Sequence, residues 1–330
     1  MTVGTELALE TTDDLDSLRR EWTALADLGG ELFTTWEWAS TWWRHFGAGR
    51  EPLVTACRAA DGTATALLPL YVAETEPART LRLVGGREAD QLGPVCAPAD
   101  RALALDALHR VLERGIGDWE RLVVDRVPPD IGWHEAMGGQ VVKHELSPAI
   151  DIDGATWEEY LASRSRNLRE QVRRRERRLK RDHEVTYRLS DDPDRLGDDF
   201  DTMLRLHRAR WGRSSSFEGP REAFHRDFAA RALEQGWLRL WTMELGGAPA
   251  AAWLGYRFGA REWYYQAGRD PALDRYAVGF VLLVHTIREA IGDGMRQYRL
   301  LLGGEPYKYR FATSDAGVFT VALRRSDEQR

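Results

Sequence analysis

The feature that most constrains this chain is an order of apolar segments that occurs twice. In the first half, residues 52–58 and 64–72 are apolar, β-favouring runs around Asp61-Gly62, a dipeptide suited to a tight hairpin turn. Residues 80–84 form a third run. Residues 101–114 place Leu103, Ala104, Ala107, Leu108, Val111 and Leu112 at helical spacing, and 121–127 read as a strand. The second half repeats the order. Residues 237–245 and 248–258 flank Gly246-Gly247 as a hairpin, 261–267 are a third strand, 278–291 have helical periodicity, and 298–302 are again a strand. Helical patterns introduce each half, at 15–28 and 36–46 in the first and at 196–211 and 221–235 in the second. A strand-helix-strand step makes one parallel pair in an otherwise antiparallel sheet, so the expectation is an α+β fold with a mixed sheet, present as two tandem domains. The boundary is expected near Ser147-Pro148, giving domains 1–150 and 151–330, with an Arg-rich helix over 164–181 bridging them.

Composition narrows the function classes. Apolar residues make up 43% of the 330 and charged residues 30%, the profile of a soluble globular protein. No run approaches the roughly 20 apolar residues that span a bilayer, and residues 1–10 show neither a basic start nor an apolar signal core. The expectation is a cytoplasmic protein without membrane insertion. Cys57 and Cys96 have no partner at metal-ligand spacing, and the eight histidines form no HExxH, so neither a disulfide framework nor a metal site is expected. The net charge of -6 argues against a generally basic nucleic-acid binder, yet 164–181 hold ten positive and two negative side chains. Leu168, Val172 and Leu179 recur there at helical offsets, which fits a helix that buries a thin stripe. Its arginines either hold a phosphorylated donor or RNA backbone, or form a solvated face neutralised by the acidic residues of 191–201.

Three stretches carry a resemblance. Trp263-Tyr264-Tyr265-Gln266-Ala267-Gly268-Arg269-Asp270 precedes Tyr276-Ala277-Val278-Gly279 at a helix start, and Gly303-Gly304-Glu305-Pro306-Tyr307-Lys308-Tyr309-Arg310-Phe311 follows the next strand. Together with Trp36, Trp38, Trp42 and Trp43, with Pro69-Leu70, and with Asp90-Gln91-Leu92-Gly93-Pro94, this resembles the two-domain branch of the GNAT acyltransferase superfamily. The similar proteins there are the cellulose-biosynthesis-associated acetyltransferases and the Fem-type aminoacyl transferases. The resemblance implies two GNAT-like domains, the first supporting or binding the acceptor and the second an N- or O-acyltransferase. It implies a short acyl group moved by direct attack from acetyl-CoA or another acyl-CoA to an amine or hydroxyl of a small molecule or saccharide. The superfamily's glycine signature is only partly kept in Arg275-Tyr276-Ala277-Val278-Gly279-Phe280, so two alternatives stand beside it. One is a Fem-like transfer from aminoacyl-tRNA; the other is a non-catalytic binding module of an exopolysaccharide or natural-product pathway.

The candidate residues follow from chemistry. A helix starting near Ala277 would aim free N–H groups and its positive end at a pyrophosphate, with Val278, Gly279 and Phe280 at the contact; Gly279 equally suits close helix packing. Backbone groups at Tyr265 and Gln266 would polarise the acyl carbonyl where the strand splays from its neighbour, although a Trp-Tyr-Tyr run suits any half-buried strand. Lys308 is one of only three lysines against 43 arginines, and it would stabilise an oxyanion or phosphate. Glu305 would take a proton from the attacking amine and Tyr307 would protonate the departing thiolate. Trp38 and Trp42 would stack on an acceptor or pack in the core, and Asp90 would bind a polar acceptor or shape a turn.

Overall fold

The computed structural model describes residues 8–75, 78–212 and 217–325, so the amino-terminal reading of residues 1–7 lies outside the described residues. The chain forms two compact units, residues 1–146 with 316–330, and residues 147–315. Each is an α+β unit built on one mixed sheet.

The first unit runs β1 (Ala8–Thr12), α1 (Arg19–Gly29), α2 (Trp36–Phe46), β2 (Arg50–Arg58), β3 (Ala64–Thr75), β4 (Ala78–Leu83), β5 (Val95–Cys96), α3 (Arg101–Glu113), β6 (Arg121–Val127), α4 (Trp133–Ala136) and β7 (Gln140–Glu145). The second runs β8 (Pro148–Asp151), α5 (Trp157–Ser163), α6 (Arg166–Asp182), β9 (Val185–Leu189), α7 (Leu196–Trp211), α8 (Pro220–Glu234), β10 (Leu238–Leu245), β11 (Ala248–Phe258), β12 (Arg261–Arg269), α9 (Val278–Gly292), β13 (Gln297–Arg299) and β14 (Ser314–Asp315). A last strand, β15 (Val318–Arg324), pairs with β6 and β7. The segment from Ala316 onward therefore belongs to the first unit, whereas the sequence pattern runs the second domain to 330. A sheet completed by a distant segment leaves no local pattern to read.

Among the described residues each sheet has one parallel pair, β4 with β6 and β12 with β13, and the crossovers are α3 and α9. The first sheet is ordered β1-β2-β3-β4-β6-β15-β7, with β5 also on β3; the second is ordered β14-β8-β13-β12-β11-β10-β9. The β10–β11 turn needs Gly246 and Gly247, whose φ values of 57° and 81° are left-handed.

Helix starts follow the caps. Thr35 accepts a bond from the Trp38 amide at 3.2 Å to open α2, Thr156 and Glu159 form a capping box on α5, and Ser165 accepts from the Leu168 amide at 3.2 Å to open α6. α6 buries Leu168, Val172 and Leu179 in the core of the second unit and leaves most of its arginines facing outward. The helix expected as a bridge thus lies within that unit. Burying its three apolar side chains contributes on the order of 5 kcal/mol, which holds a strongly charged helix on the sheet.

Candidate functional site

The site of the second unit begins where its two parallel strands part. β12 pairs with β13 over Arg261–Trp263 only, and the Leu300 amide turns instead to the Pro148 carbonyl at 3.0 Å. From Tyr264 onward the β12 edge facing β13 has no ladder partner among the described residues. A bulge sits at the same place: Gly255 pairs with Tyr264 and Leu254 with Gln266, so Tyr265 is the extra residue. The extra residue brings Tyr264 and Ala267 to one face, where both line a cleft of 290 Å³. Tyr265 is sent to the other face, where its hydroxyl lies 3.4 Å from His225 Nε2. On that face Gly268 is required, because a Cβ there would lie 2.2 Å from the His207 backbone nitrogen of α7.

The opposite wall is the start of α9. Ala277 precedes the helix at a left-handed φ of 54° and supplies no side-chain cap. The amides of Phe280 and Val281 turn back to the Ala277 carbonyl at 2.9 and 3.1 Å, which leaves the earlier helical amides without that bond. A Cβ on Gly279 would meet only the Arg269 side chain, at 3.3 Å, so glycine here opens the cleft and is not forced by backbone packing. Ala277 and Phe280 also line the cleft, whereas Val278 is fully buried in the core.

Four arginines converge on this cleft: Arg175 from α6, Arg210 from α7, Arg269 at the end of β12, and Arg310. The acidic side chain among the lining residues is Asp274, which pairs with Arg269. Burial, and then repulsion from Arg310 and Arg174, holds the Arg175 guanidinium below its usual range; burial and Arg210 do the same to Arg269. The cleft therefore carries uncompensated positive charge, which favours an anion.

Tyr264 and Tyr307 both line the cleft and are hydrogen-bonded to each other. Burial raises the pKa of Tyr264, while hydrogen bonds from Tyr307 and Arg210 oppose the rise. Burial raises Tyr307 much further, with the adjoining Tyr264 and Glu305 adding to it. Tyr307 thus keeps its proton at neutral pH, the form that a proton donor needs.

The candidate residues fall into two groups. Tyr307, Ala277, Gly279 and Phe280 are brought to one cleft; Lys308, Glu305, Tyr265, Gln266 and Val278 are not among the residues lining it. Lys308 is 4% exposed, and its ammonium donates to the Leu302 and Leu301 carbonyls at 2.5 and 3.4 Å and pairs with Glu305 at 3.1 Å. Those contacts close the loop after β13, where Leu301 has a left-handed φ of 57°, and this break ends the strand at Arg299 although the pattern of 298–302 reads as one. Trp38 and Trp42 are buried in the first unit, at 0% and 2% exposure, so neither offers a ring face for stacking on a sugar. Trp42 Nε1 donates to the Glu88 carboxylate at 2.9 Å. Asp90 lies 3.9 Å from Arg126, which also donates to the Arg87 and Ala89 carbonyls, so this region shapes the turn after β4.

Sequence reasoning missed Tyr264 and the four arginines as individual site residues. Arg175, Arg269 and Arg310 lie within segments already singled out, but a single arginine carries little signal among 43. Cys57 and Cys96 are free and buried, and burial pushes both thiols up to about 12. Among the described residues there is no cluster of three or more His, Cys, Asp or Glu placed to hold a metal, and no helix long and apolar enough to cross a membrane.

Comparison with known proteins agrees with this geometry. Residues 166–309 match the family model described as an acetyltransferase (GNAT) domain. No curated protein matches the sequence. Among solved structures, the chain is similar to FemX, with 14% identity and a TM-score of 0.68 over 95% of this chain and 97% of that one. It is also similar to L-PGS from Bacillus licheniformis, with 11% identity and a TM-score of 0.61 over 94% and 92% of the two chains. At such identities the likeness is one of fold. The splayed strands, the open helix start and the matched segment coincide, and the chain carries a GNAT-type acetyltransferase domain over residues 166–309.

Proposed function

We propose that the second unit transfers a short acyl group from an acyl-CoA to an amine or hydroxyl of a small molecule or saccharide. The observation that carries this reading is one cleft in which the β12 edge beyond its ladder with β13, the start of α9 without a side-chain cap and four arginines meet. The donor's pyrophosphate would lie against the α9 amides beside Gly279, and its pantetheine arm would follow the β12 edge past Ala267 toward Tyr264. The acceptor nitrogen or oxygen attacks the thioester carbonyl, so a carbon–nitrogen or carbon–oxygen bond forms and the carbon–sulfur bond breaks. Tyr307 protonates the departing thiolate and is reprotonated by solvent. The acceptor's own proton passes to water or to Glu305, which is 47% exposed at the side chain and lies within electrostatic reach of both tyrosines. We assign the first unit a supporting role, because Trp38 and Trp42 are consumed in its own core.

A second reading keeps the fold and replaces the donor by aminoacyl-tRNA, as in a Fem-like transferase. The whole-chain likeness to FemX and the outward arginines of α6 favour it. The readings separate on release of free thiol from acetyl-CoA with a panel of amines, aminosugars and alcohols, run at low and at moderate salt. Acceptor-dependent thiol release with modest salt sensitivity supports the acyl-CoA reading. No thiol release, with steeply salt-dependent transfer from charged tRNA, supports the second.

A further inference from the structure

The cleft holds more positive charge than one pyrophosphate at a helix start explains, and the excess is grouped. Arg175 and Arg310 come from segments far apart in sequence, yet both guanidinium groups lie over the Phe280 ring, at 4.4 and 5.5 Å from its centroid. Both line the cleft. Their neighbours do not neutralise them. Arg310 is oriented by the neutral Gln171 side-chain oxygen, and Gln171 is in turn held by Asn167 at 2.8 Å. Arg175 makes no ion pair with a carboxylate among the described residues, and the charges acting on it are those of Arg310 and Arg174. Two like charges held together by a ring and a neutral amide oppose folding unless an anion bridges them. Arg175 is half-buried, whereas Arg173 and Arg174 beside it are exposed, so the pair is built into the cleft wall and differs from the solvated arginines of the same helix.

We infer that Arg175 and Arg310 form, above Phe280, a second anion subsite that grips a phosphomonoester of the donor separately from the pyrophosphate at α9. For an acyl-CoA this is the phosphate on the ribose. The inference rests on the acyl-CoA reading and names how this chain selects that donor. Two guanidinium groups suit the dianion of a terminal phosphate, since each can donate two N–H bonds to its oxygens. Contact with the Phe280 ring restrains each guanidinium group and limits the freedom lost on binding.

The test is calorimetric titration of the full chain with CoA and with 3′-dephospho-CoA, using wild type, Arg175→Gln, Arg310→Gln and the double variant. The expected result is that wild type binds CoA at least ~10-fold more tightly than dephospho-CoA, from two charge-assisted contacts. The double variant is expected to bind the two compounds alike, each single variant lying between it and wild type in the ratio of the two affinities. Thermal midpoints of all four proteins establish that they are folded. Equal affinity of wild type for CoA and dephospho-CoA overturns the subsite and leaves the acyl-CoA reading standing. Discrimination retained by the double variant also overturns it, because the phosphate is then read elsewhere. Binding of neither compound to wild type overturns the acyl-CoA reading itself, and the subsite with it.

Discussion

Replacing Lys308 by methionine separates a structural from a chemical role for this residue. Methionine matches most of the volume of the lysine but cannot donate. The ammonium makes two hydrogen bonds to main-chain carbonyls, at 2.5 and 3.4 Å, and an ion pair at 3.1 Å with a half-exposed carboxylate. The short bond from a charged donor is worth about 2 kcal/mol and the long one less than about 1 kcal/mol, while the partly exposed pair adds less than about 1 kcal/mol. Loss of the clamp also frees Leu301 to leave its left-handed conformation, and relief of desolvating the ammonium offsets part of the total. The net expectation is a loss of about 3 kcal/mol, or roughly 6–12 °C in Tm for a unit of this size. Differential scanning calorimetry and urea unfolding read this directly, and kcat/KM per folded molecule is expected to fall by less than about 10-fold. A variant whose Tm stays within about 2 °C while kcat/KM drops about 1,000-fold would refute the structural role and put the ammonium in the reaction.

Tyr307→Phe is expected to fold normally and to lower kcat/KM by about 100-fold in the thiol-release assay, and an unchanged rate assigns the proton to another donor. Gly268→Ala is expected to destabilise by about 3 kcal/mol in urea unfolding because its Cβ would lie 2.2 Å from the His207 nitrogen, whereas Gly279→Ala, facing only the Arg269 side chain at 3.3 Å, is expected to cost under about 1 kcal/mol. Burial holds His207, His225 and His285 down to about 4, 3 and 4. These folded values are depressed, so the unfolded chain binds more protons: the stability is present above the unfolded value of about 6.5 and is lost as pH falls through the folded values. Each histidine then costs roughly 1.5 kcal/mol between about pH 6.5 and 5, and His225→Phe should flatten the slope by about a third. A slope unchanged in that variant contradicts the burial argument.

The elements most legible in the sequence are those whose period is sustained. α2, α7, β6 and β11 fall where periodicity puts them, and the stripe of Leu168, Val172 and Leu179 is buried as its spacing implies. Short or exposed strands are not legible: β7 is exposed almost throughout and has no alternation, and β15 joins a sheet whose other strands lie far earlier in the chain. The site is legible to the level of segments. The β12 bulge exchanges Tyr265 for Tyr264 at the cleft, and a one-residue register change of that kind leaves no mark on a run of three aromatics. Lysine scarcity draws attention to Lys308, but the same rarity suits a buried clamp, since a lysine's compact ammonium can reach two carbonyls at once.

Whether the cleft between β12 and α9 is an acyl-CoA site is tested most directly by calorimetric titration of acetyl-CoA into the wild-type chain and into Gly279→Asp, which puts a carboxylate where the pyrophosphate is expected. Saturable micromolar binding to wild type, lost in the variant while its Tm is kept, is the expected result. No binding to wild type, or equal binding to both, contradicts the assignment.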